Sequence, residues 1–457
     1  MVLLVGFVNV NRIYAQEISL QQALKQGMEN CETIRSKTLQ VEAQKKLVNH
    51  AKTMLLPDIK FSAQQVYGTA NAWHGPQYSF GEGMTTTSMP QDKQNWEAAF
   101  GSLYMAGFNW TLYSFGQTKN NIRFAESEYE LRQSELEQEK FKHQIQVSAT
   151  YFNLLAMQQL VKIQERNIDR AKTLFSVTQA LTSNNIRPKA EAAMAEAEVA
   201  TSRITLLKAQ DKVYELSKDF ALITGIEDEE FLLDSSYMCI FPIDRTSAEE
   251  VSDNHPSLRH AQDAVEASTY KMKIFQSEAL PRISLVGTIS GRGSGFGYNY
   301  TQVPEAVSHS YTQGVGINRS NFLIGIGLNW NFTSLFRNRS KVASQKQLSY
   351  SLEIERNLLS RELKEQTHYA DKKLQLAYSQ YNEAVTRKKA AQISYDQYLA
   401  MYRNGLTSIS DLAQAMYALT AAESEQEIMA INIWQAYLLK IANNGDIEAF
   451  IAQINNI

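Results

Sequence analysis

The sequence predicts a mainly α-helical chain with a small β part, built as a twofold internal repeat of long, coiled-coil-like helical hairpins with four strands. Three observations lead there. Landmarks recur 220 positions apart with no insertion between them: Asn109 with Asn329, Trp110 with Trp330, Ser114 with Ser334, Ala171 with Ala391, Asn184 with Asn404, Ala195 with Ala415 and Gly225 with Gly445. Fixed self-similarity of this kind marks a repeated structural unit. No Gly or Pro occurs from Thr118 to Arg187 or from Asn338 to Asn404, although the chain has 21 Gly and 8 Pro to place. Each stretch therefore reads as uninterrupted helix, and at ~1.5 Å rise per residue about 70 residues reach roughly 105 Å. Finally, after Leu56-Pro57 and again after Leu280-Pro281 the apolar period drops to two, the pattern of a strand with one apolar face.

From the N-terminus, Val2 to Val8 is a short apolar run, with no Lys or Arg before it, and Ile13-Tyr14-Ala15-Gln16 fits a secretory signal over 1–15 cleaved after Ala15. Either the n-region is unusually short or the true start lies upstream. Position 16 is Gln rather than Cys, so nothing in this cleavage pattern suggests a lipoprotein anchor. The first repeat then runs over 16–225. Ile18 to Leu55 reads as one helix, stopped by Leu56-Pro57. A strand at about 58–68 sets Ile59, Phe61 and Ala63 against Lys60, Ser62 and Gln64. A strand at about 100–113 lines up Phe100, Tyr104, Ala106, Phe108, Trp110 and Leu112, and a helical hairpin follows over 117–225.

A linker or equatorial segment over 226–253 separates the repeats. The second repeat, 254–445, opens on Asn254-His255-Pro256-Ser257-Leu258 and ends its first helix at Leu280-Pro281. Strands follow at about 282–291 and 322–333; the latter alternates Phe322, Ile324, Ile326, Leu328, Trp330 and Phe332 with Gly325, Gly327, Asn329 and Asn331. The second hairpin spans 337–444, leaving 446–457 as a tail. Along it Leu352, Leu359, Leu363, Ala370, Leu374, Ala377, Tyr381 and Ala384 form a seam, with Glu353, Arg361, Lys364, Lys372 and Lys373 off it. The segments Thr69 to Glu97 and Gly291 to Arg319, rich in Gly, Ser, Thr, Tyr and Asn, read as long exposed loops. Gly291-Arg292-Gly293-Ser294-Gly295 lacks the last glycine of a dinucleotide loop and has no helix after it, so it belongs to the loop.

A formal net charge of -3 and the absence of basic runs argue against nucleic acid as a partner. The histidines at 50, 74, 143, 255, 260, 309 and 368 show no metal-ligand spacing, and no nucleophile elbow, Walker loop or paired-cysteine motif occurs. No enzyme, metal or cofactor is expected. Cys31 and Cys239 do not make a disulfide framework; an oxidising compartment would permit a bond between them, and idle thiols are the plainer reading. No stretch beyond the N-terminus offers the ~20 apolar residues of a membrane helix, so entry into a membrane would be as a barrel. Four strands are too few, since a membrane barrel needs about eight, and several chains would have to pool theirs. Trp110, Trp330 and Phe332 then suit an interfacial girdle, though core packing in a soluble sheet would also explain them. A periplasmic structural or adaptor-like coiled coil without a barrel is the rival reading; it leaves the alternating aromatic strands unexplained.

The signal peptide, the doubled unit, Leu-Pro between helix and strand, Asn-Trp before a very long helix, and Arg403-Asn404-Gly405-Leu406-Thr407-Ser408-Ile409-Ser410-Asp411 at the turn together resemble the TolC family of outer-membrane efflux proteins. The resemblance covers essentially the mature chain. It implies a homotrimer in the lipid of the cell outer membrane, each chain giving four strands to a 12-stranded barrel and its helices to a periplasmic tunnel. It also implies passive conduction, as the exit duct of an efflux or type I secretion system. The implied partners are a periplasmic adaptor (membrane fusion) protein and an inner-membrane transporter of the proton-driven RND or ATP-driven ABC type. The adaptor-contact tips would be Asn184, Asn185, Ile186 and Arg187 with the neighbouring Ser183 and Pro188, and Arg403, Asn404, Gly405, Leu406, Thr407 and Ser408. Of the two acids that ring the constriction in the family, Asp411 matches the first; the second falls on Gln414, a departure. The first-repeat equivalents are Glu191 and Met194. Asp411 and Glu191 from three chains would make a ring of the sign that favours cations. An acid in the first turn of a helix is equally favoured by the helix dipole whether or not it lines a pore, and both readings stand at this point. Asn184, Asn185, Asn404 and Gly405 are, on residue chemistry, turn formers.

Overall fold

The computed structural model describes residues 17–72, 74, 87–226, 231–243, 254–303 and 305–455. The expected signal segment 1–15 lies outside them, as does half of the expected linker 226–253. In chain order the elements are β1 (Glu17–Ile18), α1 (Leu20–Asn30), α2 (Glu32–Thr53), β2 (Asp58–Thr69), β3 (Ala98–Tyr113), α3 (Gln117–Ser183), α4 (Lys189–Thr224), β4 (Leu232–Leu233), a 3-10 turn (Ser236–Met238), α5 (Pro256–Ser277), β5 (Arg282–Ser294), α6 (Tyr311–Val315), β6 (Arg319–Asn329), α7 (Ser334–Arg403), α8 (Ile409–Asn444) and α9 (Ile447–Ile454). The Gly- and Pro-free stretches are indeed single helices, α3 of 67 residues and α7 of 70. The returning helices α4 and α8 are 36 residues each. Both end on a glycine in the left-handed region, Gly225 and Gly445, whose N–H closes onto Ala221 and Ile441. A glycine past the helix end meets that backbone without a Cβ clash.

Several expectations need correction. Ile18 to Leu55 is not one helix. Ile18 belongs to β1, the Ser19 hydroxyl and the Gln22 side chain form a capping box that starts α1, and Cys31 leaves the helical region (φ -67°, ψ 109°) to divide α1 from α2. Glu17 and Ile18 pair in parallel with Leu232 and Leu233, a two-residue ladder too short to announce itself by period. The strand expected to reach 333 ends at Asn329, because Asn331 and Thr333 turn the chain into α7, which starts at Ser334 rather than 337. Gly291 to Ser294 are strand and not loop, and the segment after them holds the short α6. Cys31 and Cys239, by contrast, are free thiols, the plainer of the two readings.

The chain divides into two compact units. One holds Met1–Ala43, Glu130–Val265 and Ser351–Ile457, and the other Gln44–Tyr129 and Glu266–Tyr350. Both halves of the sequence contribute to each. In the first unit the core is aromatic. Trp434 of α8 stacks on Phe152 of α3 at 5.6 Å, meets Tyr237 edge-on, and donates its indole N–H to the Tyr237 and Ile240 carbonyls. The segment 231–243 is thereby fixed to the helices. A second cluster draws on all four hairpin helices, with Leu174, Ala195, Tyr402, Leu412 and Met416 in it. The seam residues Leu363, Ala370, Leu374, Ala377 and Ala384 of α7 are buried, and the five charged residues expected off it are exposed.

The second unit carries one four-stranded sheet in the order β2-β3-β5-β6, antiparallel throughout. Its register puts one apolar belt on a single face: Phe61 lies across from Ala106, Ala106 from Ile289 and Ile289 from Phe322, with the row Phe108, Gly287 and Ile324 beside it. Phe108 lies so close over Gly287 that a Cβ there would sit 2.3 Å from the ring. This face is open to the outside, Phe61 and Phe322 being 82% exposed and Ile326 73%. An apolar surface of that extent marks contact with lipid or a partner. Among the described residues the outermost strands, β2 and β6, each have one unpaired edge.

Candidate functional site: the two hairpin turns

At both turns the backbone is built alike. Ile186 N–H bonds Leu181 O (2.9 Å) and Asn185 N–H bonds Thr182 O (3.0 Å); Leu406 N–H bonds Met401 O (2.9 Å) and Gly405 N–H bonds Tyr402 O (3.0 Å). This is the paired closure of a Schellman end, which needs one residue in the left-handed region. Asn185 (φ 60°) and Gly405 (φ 76°) supply it. The preceding asparagines add the same extra bond, Asn184 Nδ2 to Ala180 O and Asn404 Nδ2 to Ala400 O, both 2.9 Å. Ile186 and Leu406 project outward, 63% and 71% exposed. The side chains sequence reasoning assigned to turn formation thus do form the turns.

The acids that follow are used differently. Asp411 is the N3 residue of α8 in a capping box: Asp411 N–H donates to Ser408 Oγ (3.3 Å), and Asp411 Oδ2 accepts from the Ser408 amide (3.2 Å), the Ser408 hydroxyl (2.6 Å) and the Thr407 hydroxyl (2.9 Å). The Ser408 hydroxyl, then the Thr407 hydroxyl and the Ser408 amide, hold its carboxyl below the usual range. In α4 the cap is Pro188, which offers no side-chain bond. Glu191 turns instead to a clasp. Its Oε2 accepts from the Tyr402 hydroxyl at 3.0 Å, and its Oε1 lies 3.5 Å from Arg187 Nη1. Arg187 also donates from Nη2 to the Thr407 carbonyl (2.8 Å) and stands over the Tyr402 ring at 5.4 Å. Tyr402 is fully buried and 3.1 Å from Thr178 Oγ1. Burial first, and then Glu191, push its phenol above its ordinary value, so it remains a donor.

Arg187, Glu191, Tyr402 and Thr407 are therefore one set of contacts joining the two turns. Met194 and Gln414 come together beyond it, lining a groove of about 320 Å³ between α4 and α8 with Glu198, Ile409 and Tyr417. A polar network lies next to that groove and was not foreseen. Tyr417 donates to the buried Glu198, burial and that carboxylate pushing its phenol up to about 12. Arg170 makes a two-pronged pair with Glu423 (2.7 and 3.2 Å) and donates to Thr420, which donates in turn to Asn167 (2.8 Å). No spacing in the sequence links residues so far apart. The girdle candidates stand in the other unit. Trp110 N–H donates to Leu55 O (2.9 Å) and Trp330 N–H to Ala279 O (3.0 Å), each closing the helix end just before Leu-Pro, and Phe332 packs edge-on against Trp330. Among the described residues no group of three or more His, Cys, Asp or Glu is placed to hold a metal, and no helix is long and apolar enough to cross a membrane.

A family model described as "Outer membrane efflux protein" matches residues 21–225 and 248–437. No curated protein matches the chain significantly by sequence. Among solved structures, the chain is similar to the outer membrane protein VceC from Vibrio cholerae, with a TM-score of 0.73 and 13% identity over 93% of this chain and 96% of that one. It is similar to the Campylobacter jejuni CmeC outer membrane channel at 0.73 and 12%, over 96% and 89% of the two chains. The Neisseria gonorrhoeae MtrE outer membrane channel matches at 0.69 and 14%, over 93% and 88%. At such identities the likeness is one of fold.

Proposed function

The chain belongs to the outer membrane efflux protein family, and from that membership we propose that it is the outer-membrane exit duct of a tripartite efflux or type I secretion system, conducting cargo passively. The observation that carries this is the sheet. One face is a continuous, exposed apolar belt, and both edge strands are open. Successive antiparallel pairings leave β2 and β6 running in opposite directions, so β6 of one copy can pair with β2 of the next and keep the antiparallel order a membrane barrel requires. Three copies close a ring with no free edge, which removes the liability of exposed edge strands. The rival soluble coiled coil leaves the exposed belt without a partner. The two repeats, 16–225 and 254–445, then stand as two copies of one strand-and-hairpin unit after a 1–15 signal segment that is cleaved on export.

In this reading the outer membrane takes the belt, with Trp110, Trp330 and Phe332 at its interface, and the hairpins serve a periplasmic tunnel. The turns Asn184 to Arg187 and Arg403 to Ser408 meet a periplasmic adaptor, and an inner-membrane RND or ABC transporter supplies the energy. Asp411, Glu191, Gln414 and Met194 line the periplasmic constriction. Opening it means separating hairpins that the Arg187–Thr407 and Tyr402–Glu191 contacts hold together. The test is single-channel conductance of detergent-purified protein in a planar bilayer, comparing the native chain with Asp411→Ala and Glu191→Ala. Small cation-selective currents that lose selectivity in the variants support the duct and its acidic constriction. Currents indifferent to both substitutions keep the duct and discard the constriction, and a protein that never inserts returns the soluble coiled coil.

A further inference from the structure

The four strands of the sheet contain five charged residues, Asp58, Lys60, Arg282, Arg292 and Arg319. The register places all five on the face opposite the apolar belt. Four of the five are cations. Lys60 is paired with Asp58 at 3.3 Å, so the uncompensated charge on that face is arginine. Arg292 and Arg319 are direct cross-strand partners, in one row with Leu103 and Gln64. Both are exposed, and neither has an acidic partner among the described residues; Arg319 Nη1 reaches only the Asn318 carbonyl, at 3.1 Å. Arg292 borders a groove of about 460 Å³ with Gln64, Gly101 and Ser294.

Like charges directly opposite each other weaken a sheet, and Arg319 opens a strand at an unpaired edge where any polar residue would serve the ladder as well. Two adjacent guanidinium groups become favourable when an anion sits between them, because each offers a planar fork of donors matched to an oxyanion. We propose that Arg292 and Arg319 form an anion site on the lumen side of the barrel, at the end where β5 and β6 are joined by residues 295–318, and that this site holds carboxylate, phosphate or sulfate groups of passing cargo. The inference rests on the duct reading above, which puts the apolar belt in lipid and this face in the lumen. Three copies would then set six guanidinium groups at one level, and rings of Arg or Lys select anions. The sign is opposite to that of the acids near the turns.

The test uses the full chain in a neutral phosphatidylcholine bilayer, where only a soluble anion can occupy the site, with tripolyphosphate added on the loop side. Concentration-dependent block of the current is expected. In the Arg292→Gln, Arg319→Gln double variant the half-blocking concentration rises about tenfold or more, the loss expected on removing charge-assisted hydrogen bonds. Lys60→Gln leaves block unchanged, and Arg292→Lys with Arg319→Lys keeps most of it. Native-strength block in the Gln double variant, or a native current that tripolyphosphate does not touch, overturns the anion site while the duct stands. A chain that passes no current overturns the duct and the lumen site with it.

Discussion

The two hairpin turns have the same backbone and divide their labour differently. Ala180 to Ile186 and Ala400 to Leu406 make matching hydrogen bonds, and an acid follows each turn at the third position of the returning helix. The residue at the helix cap separates them. Ser408 offers a hydroxyl and an amide N–H, and Asp411 folds back onto both; Pro188 offers neither, and Glu191 reaches across to Tyr402 and Arg187. A repeated fold can thus carry one local acid and one bridging acid at equivalent places, with the choice made three residues earlier.

The comparison breaks most visibly at Tyr402. Tyr402→Phe keeps the buried ring and removes the hydroxyl, leaving Glu191 with Arg187 alone and Thr178 without its neighbour. A group in that position loses about 1–3 kcal/mol, and the loss should appear as faster hydrogen exchange at the ends of both α4 and α7. Exchange confined to one of them would mean that Tyr402 does not join the two turns.

Ser408→Ala removes the cap of α8 and costs about 1 kcal/mol, felt at the second turn only. Spin labels at Ile186 and Leu406, with Cys31 and Cys239 replaced by Ser, read the two turns separately. Acid sharpens the contrast. The folded Asp411 carboxyl is held below its ordinary value, so its contribution is complete above the unfolded pKa of ~3.9 and is lost as pH falls through the depressed folded value. The Leu406 label should loosen as pH drops below about 4 in the native chain, and the acid response should shrink in Ser408→Ala. An equal response in both proteins would deny the capping box its role. Gly405→Ala forces a Cβ into the left-handed region and costs about 1 kcal/mol, again seen by the Leu406 label.

How much of this was readable from the residues differs between backbone and side chain. The missing Gly and Pro announced α3 and α7, and alternation announced the four sheet strands, because each signal repeats over many positions. Asn184, Asn185, Asn404 and Gly405 were legible as turn formers, since Asn and Gly tolerate the left-handed backbone that Asn185 and Gly405 adopt. The break at Cys31 was not, because an ordinary residue changes only its own ψ there and nothing in its type requires it. The opposite fates of Asp411 and Glu191 were written in Ser408 and Pro188, a capping signal that the pore reading of both acids passed over. Arg170 and Glu423 meet across 253 positions, and the opposition of Arg292 to Arg319 depends on register. Neither follows from local pattern.

The finest test moves the difference itself. Pro188→Ser gives α4 the Ser-x-x-Glu arrangement of a capping box. A new cap contributes about 1 kcal/mol, while loss of the proline returns about 0.4–1 kcal/mol of entropy to the unfolded chain, so net stability should change by no more than about 0.6 kcal/mol. What should change is the partner of Glu191. If the cap draws its carboxylate home, Tyr402→Phe becomes less costly in the Pro188→Ser background than in the native one, and a double-mutant cycle measures the difference. An undiminished cost would mean that Arg187 and Tyr402 hold Glu191 against a competing cap, and that the packing of Tyr402, rather than the residue at the helix start, decides which acid bridges the hairpins.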